Sequence, residues 1–568
     1  MIRHVCLILV ALACSACAAP ADGVPPREQR LQWFNEARFG MFVHWGIYSV
    51  IGMEASWPLY GHQYSREEYE GQAKRFVPNS FDADDLVGVA KRAGMKYLVI
   101  TTKHHDGFCM FDSKLTDYTV AKGPLGRDLV GEVVDACRRQ GLRVGFYFSL
   151  CDWHDPRYRS LPVQGGNWPL EPIKEDPATW RSFVRYVHGQ VRELLSNYGK
   201  IDIMWFDGGW EHTPEEWHSA ELERLVRRLQ PEILINDRLP GPGIADYVTP
   251  EQTIPASAPA GSWETCMTIN NTWGYNPRDK AFKPAEQLIR NLSTTACGGG
   301  NFLLNVGPGP DGSVQPEFRE RLEAIGDWLR TNGEAVYGTT RGPRGVFSTG
   351  GATVRGHTLF LQIASPPEGP IELPALEAKL RSVRTLARGR PVPFSAPAGG
   401  VRIDFDPARF EPPATVLRLQ FDGPVKADTA IRPMPDGSFD LQAKLAEIHG
   451  TSLAYQLQYD DLGCWINASD WCGWEIKAER ARTYRVVIAY GCPDDQAGSE
   501  VVLGVGGNDV GFTVQGTGAW TTYPERDLGT VRLADGVHSV ELRCTRLTGI
   551  APLNLRCVKL LPVRRAGT

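Results

Sequence analysis

The sequence predicts an α/β protein, a (β/α)8-like barrel catalytic domain followed by C-terminal β-sandwich domains, and three observations lead there. Across residues 28–340, short apolar runs alternate with helical patterns, as in the βα units of a parallel sheet. From 341 onward short strands sit between Pro and Gly turns, which fits one sandwich over 341–430 and an accessory one over 440–564. A chain of 568 residues is also too long for one hydrophobic core. An open doubly wound sheet would show the same alternation, so periodicity alone does not close a barrel.

Taken in chain order, residues 1–22 read as a secretory signal: Arg3, an apolar run from Val5 to Ala13, then small residues. The run is too short to cross a membrane. Small residues before Cys14 and Cys17 suit a bacterial lipoprotein signal, with a lipid anchor at Cys17 the better candidate. Cleavage after an Ala-x-Ala pattern without lipid is the alternative. Either predicts an exported protein: periplasmic, an outer-membrane lipoprotein, or secreted.

The barrel strands are read in FGMFVHWG, KYLVITTKHH, RVGFYFSL, IDIMWFDG, EILINDR, ETCMTIN and NFLLNVGP. Helices between them open on capping signals, as in SFDADDLVGVAKRAG, RDLVGEVVDACRRQG, PATWRSFVRYVHGQVRELLSNYG and PEEWHSAELERLVRRLQP, and several close on Gly. Polar residues fall at or just past the strand ends: His44, His104 and His105, Tyr147, Asp207, and Asn236-Asp237-Arg238. In a barrel these ends converge on one face. One such residue is ordinarily a satisfied core group; five successive strands carrying them point to a site.

Splitting a glycosidic bond requires one carboxylate to attack or to activate water, and one carboxylic acid to protonate the leaving oxygen. Asp207 suits the first role, and Gly208-Gly209 after it would let a substrate approach the backbone; a helix-capping Asp is the alternative reading. Glu251 in DYVTPEQ and Glu264 in GSWETCMT are candidates for the acid. Apolar neighbours such as Trp263 and Trp273 would raise a carboxyl pKa there. The histidines would bond sugar hydroxyls, and Trp45, Trp57 and Trp273 would cover ring or methyl surfaces. Such chemistry needs no cofactor.

The strings RFGMFVHWGIYSV, TTKHHDGFCMFDSKLTDYT, GFYFSLCDWH, MWFDGGW and GGNFLLNVGPGPDG, in this order over about residues 28–340, closely resemble the α-L-fucosidases of glycoside hydrolase family 29. The resemblance implies a retaining exo-glycosidase acting on a fucosylated oligosaccharide or polysaccharide through a covalent fucosyl-enzyme. Matched residue by residue, it makes Asp207 the nucleophile and His44, His104, His105, Tyr147 and Arg238 pocket residues. The TPE segment is similar to that of the branch acting on α-1,3/1,4-linked fucose, which favours Glu251 as acid/base and keeps Glu264 in reserve. Many relatives carry adjacent Glu-Trp before the second strand. This chain has Glu54-Ala55-Ser56-Trp57, so Trp57 carries over while Glu54 has no assigned role.

Other classes fit less well. A formal charge of −5, with Lys and Arg spread along the chain, gives no basic field for nucleic acid. A metal-dependent barrel hydrolase is disfavoured because adjacent His104 and His105 would point to opposite sides of an extended strand. A catalytically inactive fucose-binding protein remains an alternative, although both carboxylates are present. Beyond the signal, ten Cys lack metal-type spacing, and Cys464 with Cys472 are close enough in sequence to pair. Trp465, Trp471 and Trp474 would form either a sugar-stacking platform or sandwich core. No sequence signal specifies an oligomeric state.

Overall fold

The structure, a computed structural model, describes residues 23–61, 63–158, 176–255, 259, 261–342, 350–374, 376, 378–396, 400–425, 430–449, 452–456 and 459–563. The signal segment, with Cys14 and Cys17, lies outside the described residues.

Seven parallel strands form the first sheet: β1 (Phe39–Val43), β2 (Tyr97–Lys103), β3 (Arg143–Ser149), β4 (Ile203–Asp207), β5 (Leu234–Ile235), β6 (Glu264–Thr268) and β7 (Asn301–Val306). Each falls inside one of the apolar runs. Their order is β5-β4-β3-β2-β1-β7-β6. The two edge strands do not pair directly. Isolated parallel bridges, Asn236 to Tyr247, Val248 to Trp263 and Glu251 to Cys266, insert residues 247–251 between them, so an irregular stave completes the curl.

Alternation along the strands sorts side chains between the two faces. Phe42, Tyr97, Val99, Tyr147, Ile203, Trp205, Leu234, Tyr247, Cys266 and Leu303 form the cluster inside the curl. Their neighbours, such as Met41, Leu98, Ile100, Phe146, Met204 and Phe206, pack outward with the helices. Both faces are buried, as a parallel sheet under helices requires. Three of those helices, Ala83–Arg92, Leu129–Gln140 and Pro177–Asn197, begin at Asp82, Asp128 and Asp176, whose carboxylates accept first-turn N–H groups. The helix expected from PEEWH onward starts only at Ser219, after a turn in which His218 takes a φ of 52°.

The remainder is antiparallel. Strands between Thr340 and Phe421 make a five-stranded and a three-stranded sheet around a core that includes Leu359, Leu361, Ile403, Leu417 and Leu419. Strands between Phe439 and Pro562 make a six-stranded and a five-stranded sheet around a second core. Trp465 and Trp474 are buried in that core. Trp471 is the middle member of a cross-strand row, its ring stacked on His449 at 3.6 Å and 4° with Arg543 4.0 Å from its centroid. Trp465 and Trp474 are core, because packing two sheets face to face consumes large apolar rings first, whereas the half-buried Trp471 lies outside that core with its ring engaged by His449 and Arg543. Cys464 and Cys472 are not bonded to each other: the first is an exposed thiol, the second a buried one.

Candidate active site

The inward series on β4 runs Ile203, Trp205, Asp207, so alternation that buries two apolar side chains places the third, a carboxylate, inside the upper end of the curl. Asp207 is only 8% exposed. Tyr147 donates its hydroxyl to Asp207 Oδ2 at 2.8 Å, Arg238 donates from a terminal nitrogen to Oδ1 at 3.2 Å, and His105 Nε2 lies 3.9 Å from Oδ2. Burial penalises the charge, but Arg238, His105, Tyr147 and the Gly208 amide outweigh it and hold the carboxyl below its ordinary range. The alternative of a helix cap is not what the side chain does. Gly208, at a φ of 71°, serves packing: a Cβ there would lie 2.8 Å from Ser149 Oγ and 2.9 Å from the Cys151 amide nitrogen, so this glycine faces protein rather than substrate.

Three histidines line the same pocket. His44 Nδ1 meets Asn305 Oδ1 at 2.7 Å, His104 Nδ1 meets Ser56 Oγ at 2.6 Å, and His105 Nδ1 meets Ser149 Oγ at 2.7 Å. Burial lowers the pKa of His44 and His105 to about 4 and that of His104 well below its usual value, so all three rings are neutral near pH 7. Asn305 donates its amide to the Trp273 carbonyl at 2.7 Å, which leaves its oxygen to accept from His44 Nδ1. His44 Nε2 is then an acceptor suited to a hydroxyl donor.

His104 and His105 correct the strand-based expectation. β2 ends at Lys103, so both follow the strand in a turn and their rings lie 4.2 Å apart rather than on opposite sides. His104 stacks on Tyr147 at 5.3 Å and 8°. Trp57, Trp153 and Trp210 surround His105 with ring centroids 5.5, 5.0 and 5.3 Å away. Trp273 packs 5.0 Å from His44. Trp45, by contrast, is wholly buried against Phe76 and Phe81, outside the pocket. Among the described residues, no group of three or more His, Cys, Asp or Glu is arranged to hold a metal ion.

The two candidate acids part company. Glu251 sits on the stave 247–251 and receives the Arg238 guanidinium at 2.7 Å, so one arginine touches both Asp207 and Glu251. Its side chain is 42% exposed. Glu264 is the first residue of β6, paired with Asn301 at the opposite, lower end of the curl, and is fully buried. Tyr97 and the Trp205 indole donate to its two oxygens at 2.5 and 3.0 Å, and burial raises its pKa to about 7. The Trp205 ring in turn lies under Arg238, whose guanidinium carbon is 4.6 Å from the centroid.

Sequence reasoning did not single out Ser56, Ser149 and Asn305, which orient the histidines. Asn305 had a signal, a polar residue inside the apolar strand NFLLNV, and Ser149 ends GFYFS. Ser56 had none.

A buried, ionised carboxylate at the C-terminal end of a parallel barrel, ringed by neutral histidines, a tyrosine and tryptophans, with a second carboxylate on the same arginine, defines a glycoside hydrolase site. A family model described as Alpha-L-fucosidase matches residues 24–334, and the chain belongs to that family. Tissue alpha-L-fucosidase of Rattus norvegicus is 33% identical over 335 residues, covering 54% of this chain and 69% of the relative. The solved alpha-L-fucosidase isoenzyme 1 from Paenibacillus thiaminolyticus is 37% identical over 70% of this chain and 99% of its own, with a TM-score of 0.65. A trapped covalent intermediate of an alpha-L-fucosidase from Bacteroides thetaiotaomicron is 28% identical over 71% of this chain and 98% of its own, with a TM-score of 0.63.

Proposed function

We propose that this chain is a retaining exo-α-L-fucosidase that hydrolyses terminal α-linked L-fucose, with Asp207 as nucleophile and Glu251 as acid/base. The observation that carries it is the buried Asp207 carboxylate, kept ionised by Arg238 and Tyr147 while the same guanidinium reaches Glu251. In the first step Asp207 attacks the anomeric carbon as Glu251 protonates the departing oxygen. In the second, Glu251 takes a proton from water, which attacks the fucosyl-enzyme and frees Asp207. The covalent intermediate of the Bacteroides relative supports this course. Neutral His44, His104 and His105 bond the sugar hydroxyls, while Trp57 and Trp273 cover its apolar surface.

Glu251 is preferred to Glu264 because both Glu264 oxygens are engaged at the closed end of the curl. Preference for α-1,3/1,4 linkages rests on the TPE segment, and export with lipidation at Cys17 rests on residues 1–22; both are part of the proposal. The test of the core claim is nitrophenol release from an α-L-fucoside, abolished in Asp207→Ala and restored by azide as fucosyl azide. Lack of azide rescue in a folded variant would count against the covalent step. Binding without turnover in the wild type would favour the fucose-binding protein instead. Glu251→Ala should lose far more rate on a natural glycan than on an activated aryl fucoside, and an equal loss on both would remove it from the acid role.

A further inference from the structure

Glu54 belongs to neither carboxylate role above, yet its side chain is committed to one contact. Both its oxygens accept the backbone N–H of Trp273, at 3.0 and 2.9 Å. Asn305 grips the other end of the same residue, donating to the Trp273 carbonyl at 2.7 Å while accepting from His44. Trp273 is thus fixed through its main chain from two elements, and its indole lies 5.0 Å from His44 and 6.0 Å from Phe42. Close packing accompanies the clamp. A Cβ on Gly274 would lie 3.0 Å from the Ala55 amide nitrogen, so that loop runs directly against the residue after Glu54. Ala55 itself has a φ of 34°, a conformation costly for a non-glycine and sustained only where surrounding contacts hold it.

We propose that Glu54 is a positioning residue that sets the Trp273 indole against His44 and thereby fixes the pocket's affinity for the sugar. This rests on the fucose-pocket reading above. What the contact needs is an acceptor oxygen on a side chain of this length: burial raises the Glu54 carboxyl to about 7, so the acceptor rather than a full charge makes the bond. The effect runs through a wall of the pocket rather than through the reacting bond. Loss of Glu54 therefore raises KM more than it lowers kcat.

The test is a set of variants assayed on an aryl α-L-fucoside. Glu54→Ala should raise KM about tenfold with kcat within about threefold. Glu54→Gln, which keeps one acceptor oxygen, should recover most of the affinity, and Glu54→Asp, which keeps the carboxyl but withdraws it from the amide, should fall between. Because Glu54 acts through Trp273, Glu54→Ala in a Trp273→Ala background should add little to the Trp273→Ala effect. Additive effects, or a kcat loss at unchanged KM, would overturn the positioning role. If Glu54→Ala does not fold, Glu54→Asp decides: wild-type KM in that variant overturns the proposal. A wild-type enzyme inactive on every fucoside would fail earlier, taking the functional reading with it, whereas an active wild type with an additive cycle sinks only the role of Glu54.

Discussion

Tyr147 separates two explanations of why Asp207 stays ionised while buried. If the arginine alone sufficed, the hydroxyl at 2.8 Å would be incidental; but a hydrogen bond to a charged, desolvated acceptor contributes about 1.5 to 3 kcal/mol. Tyr147→Phe keeps the ring that stacks on His104 and removes only that bond. It should cost about 10- to 100-fold in kcat/KM. The sign of the pH effect follows from the same contact. Tyr147 helps lower the Asp207 pKa, so its removal raises that pKa and moves the acid limb of the kcat/KM profile to higher pH. A variant with an unmoved limb would assign the ionisation to Arg238 without the tyrosine. Asp207, Tyr147 and the histidines were legible in the sequence because each interrupts or ends an apolar run. Glu54 and Ser56 were not, since their roles depend on which partner the fold brings opposite them, at positions such as Trp273 and His104 that are distant in sequence.

At the level of elements, the stave 247–251 carries Glu251, and its anchor is the residue before it. Asp246 is 1% exposed and meets Arg30 and Arg227, the latter at 2.8 Å, while accepting the Ile235 amide at 2.9 Å. Its backbone carbonyl also accepts from Arg27, at 2.6 Å to a terminal guanidinium nitrogen. Removing one partner of a buried ionic group leaves the others unpaired, at about 3 to 5 kcal/mol. Asp246→Ala should therefore lower the midpoint of thermal unfolding strongly and, below that midpoint, reduce activity on natural glycans by disturbing Glu251. Circular dichroism melts with parallel rate measurements check both, and a variant that melts normally would show the anchor to be dispensable. The seven strands were readable as apolar runs, and the Asp caps as local signals. The closure was not: DYVTPEQ has no strand periodicity, and its place in the barrel comes from three isolated bridges, to Asn236 just after β5, to Trp263 just before β6 and to Cys266 within β6. Trp465 and Trp474 were ambiguous for a related reason, since an aromatic in a strand reads the same whether its face meets a second sheet or solvent.

Over the whole molecule, the buried titrating groups pull stability in opposite directions with pH. His44 and His105 fall from 6.5 to about 4 on folding, so the native state binds fewer protons than the unfolded chain between those values and stability rises as pH climbs through that window. Glu264 does the reverse. Burial raises it from 4.5 to about 7, the native state binds more protons in that range, and stability is lost as pH rises through it. Glu54 and Asp106, raised by burial to about 7 and about 6, add to the second trend, so carboxyls and histidines pull against each other between about pH 4.5 and 6. Glu264→Gln removes only the Glu264 part of that trend. Its amide oxygen still accepts from Trp205 and its nitrogen donates to the Tyr97 hydroxyl, so the cavity stays filled and the ring contacts remain. The stability of this variant relative to wild type should therefore improve from pH 5 to pH 8, by up to about 3 kcal/mol. Denaturant unfolding at the two pH values measures it. A difference that does not change with pH would mean that Glu264 is already ionised in the folded barrel at pH 5, and that Tyr97 and Trp205, rather than a proton, stabilise it against the apolar floor.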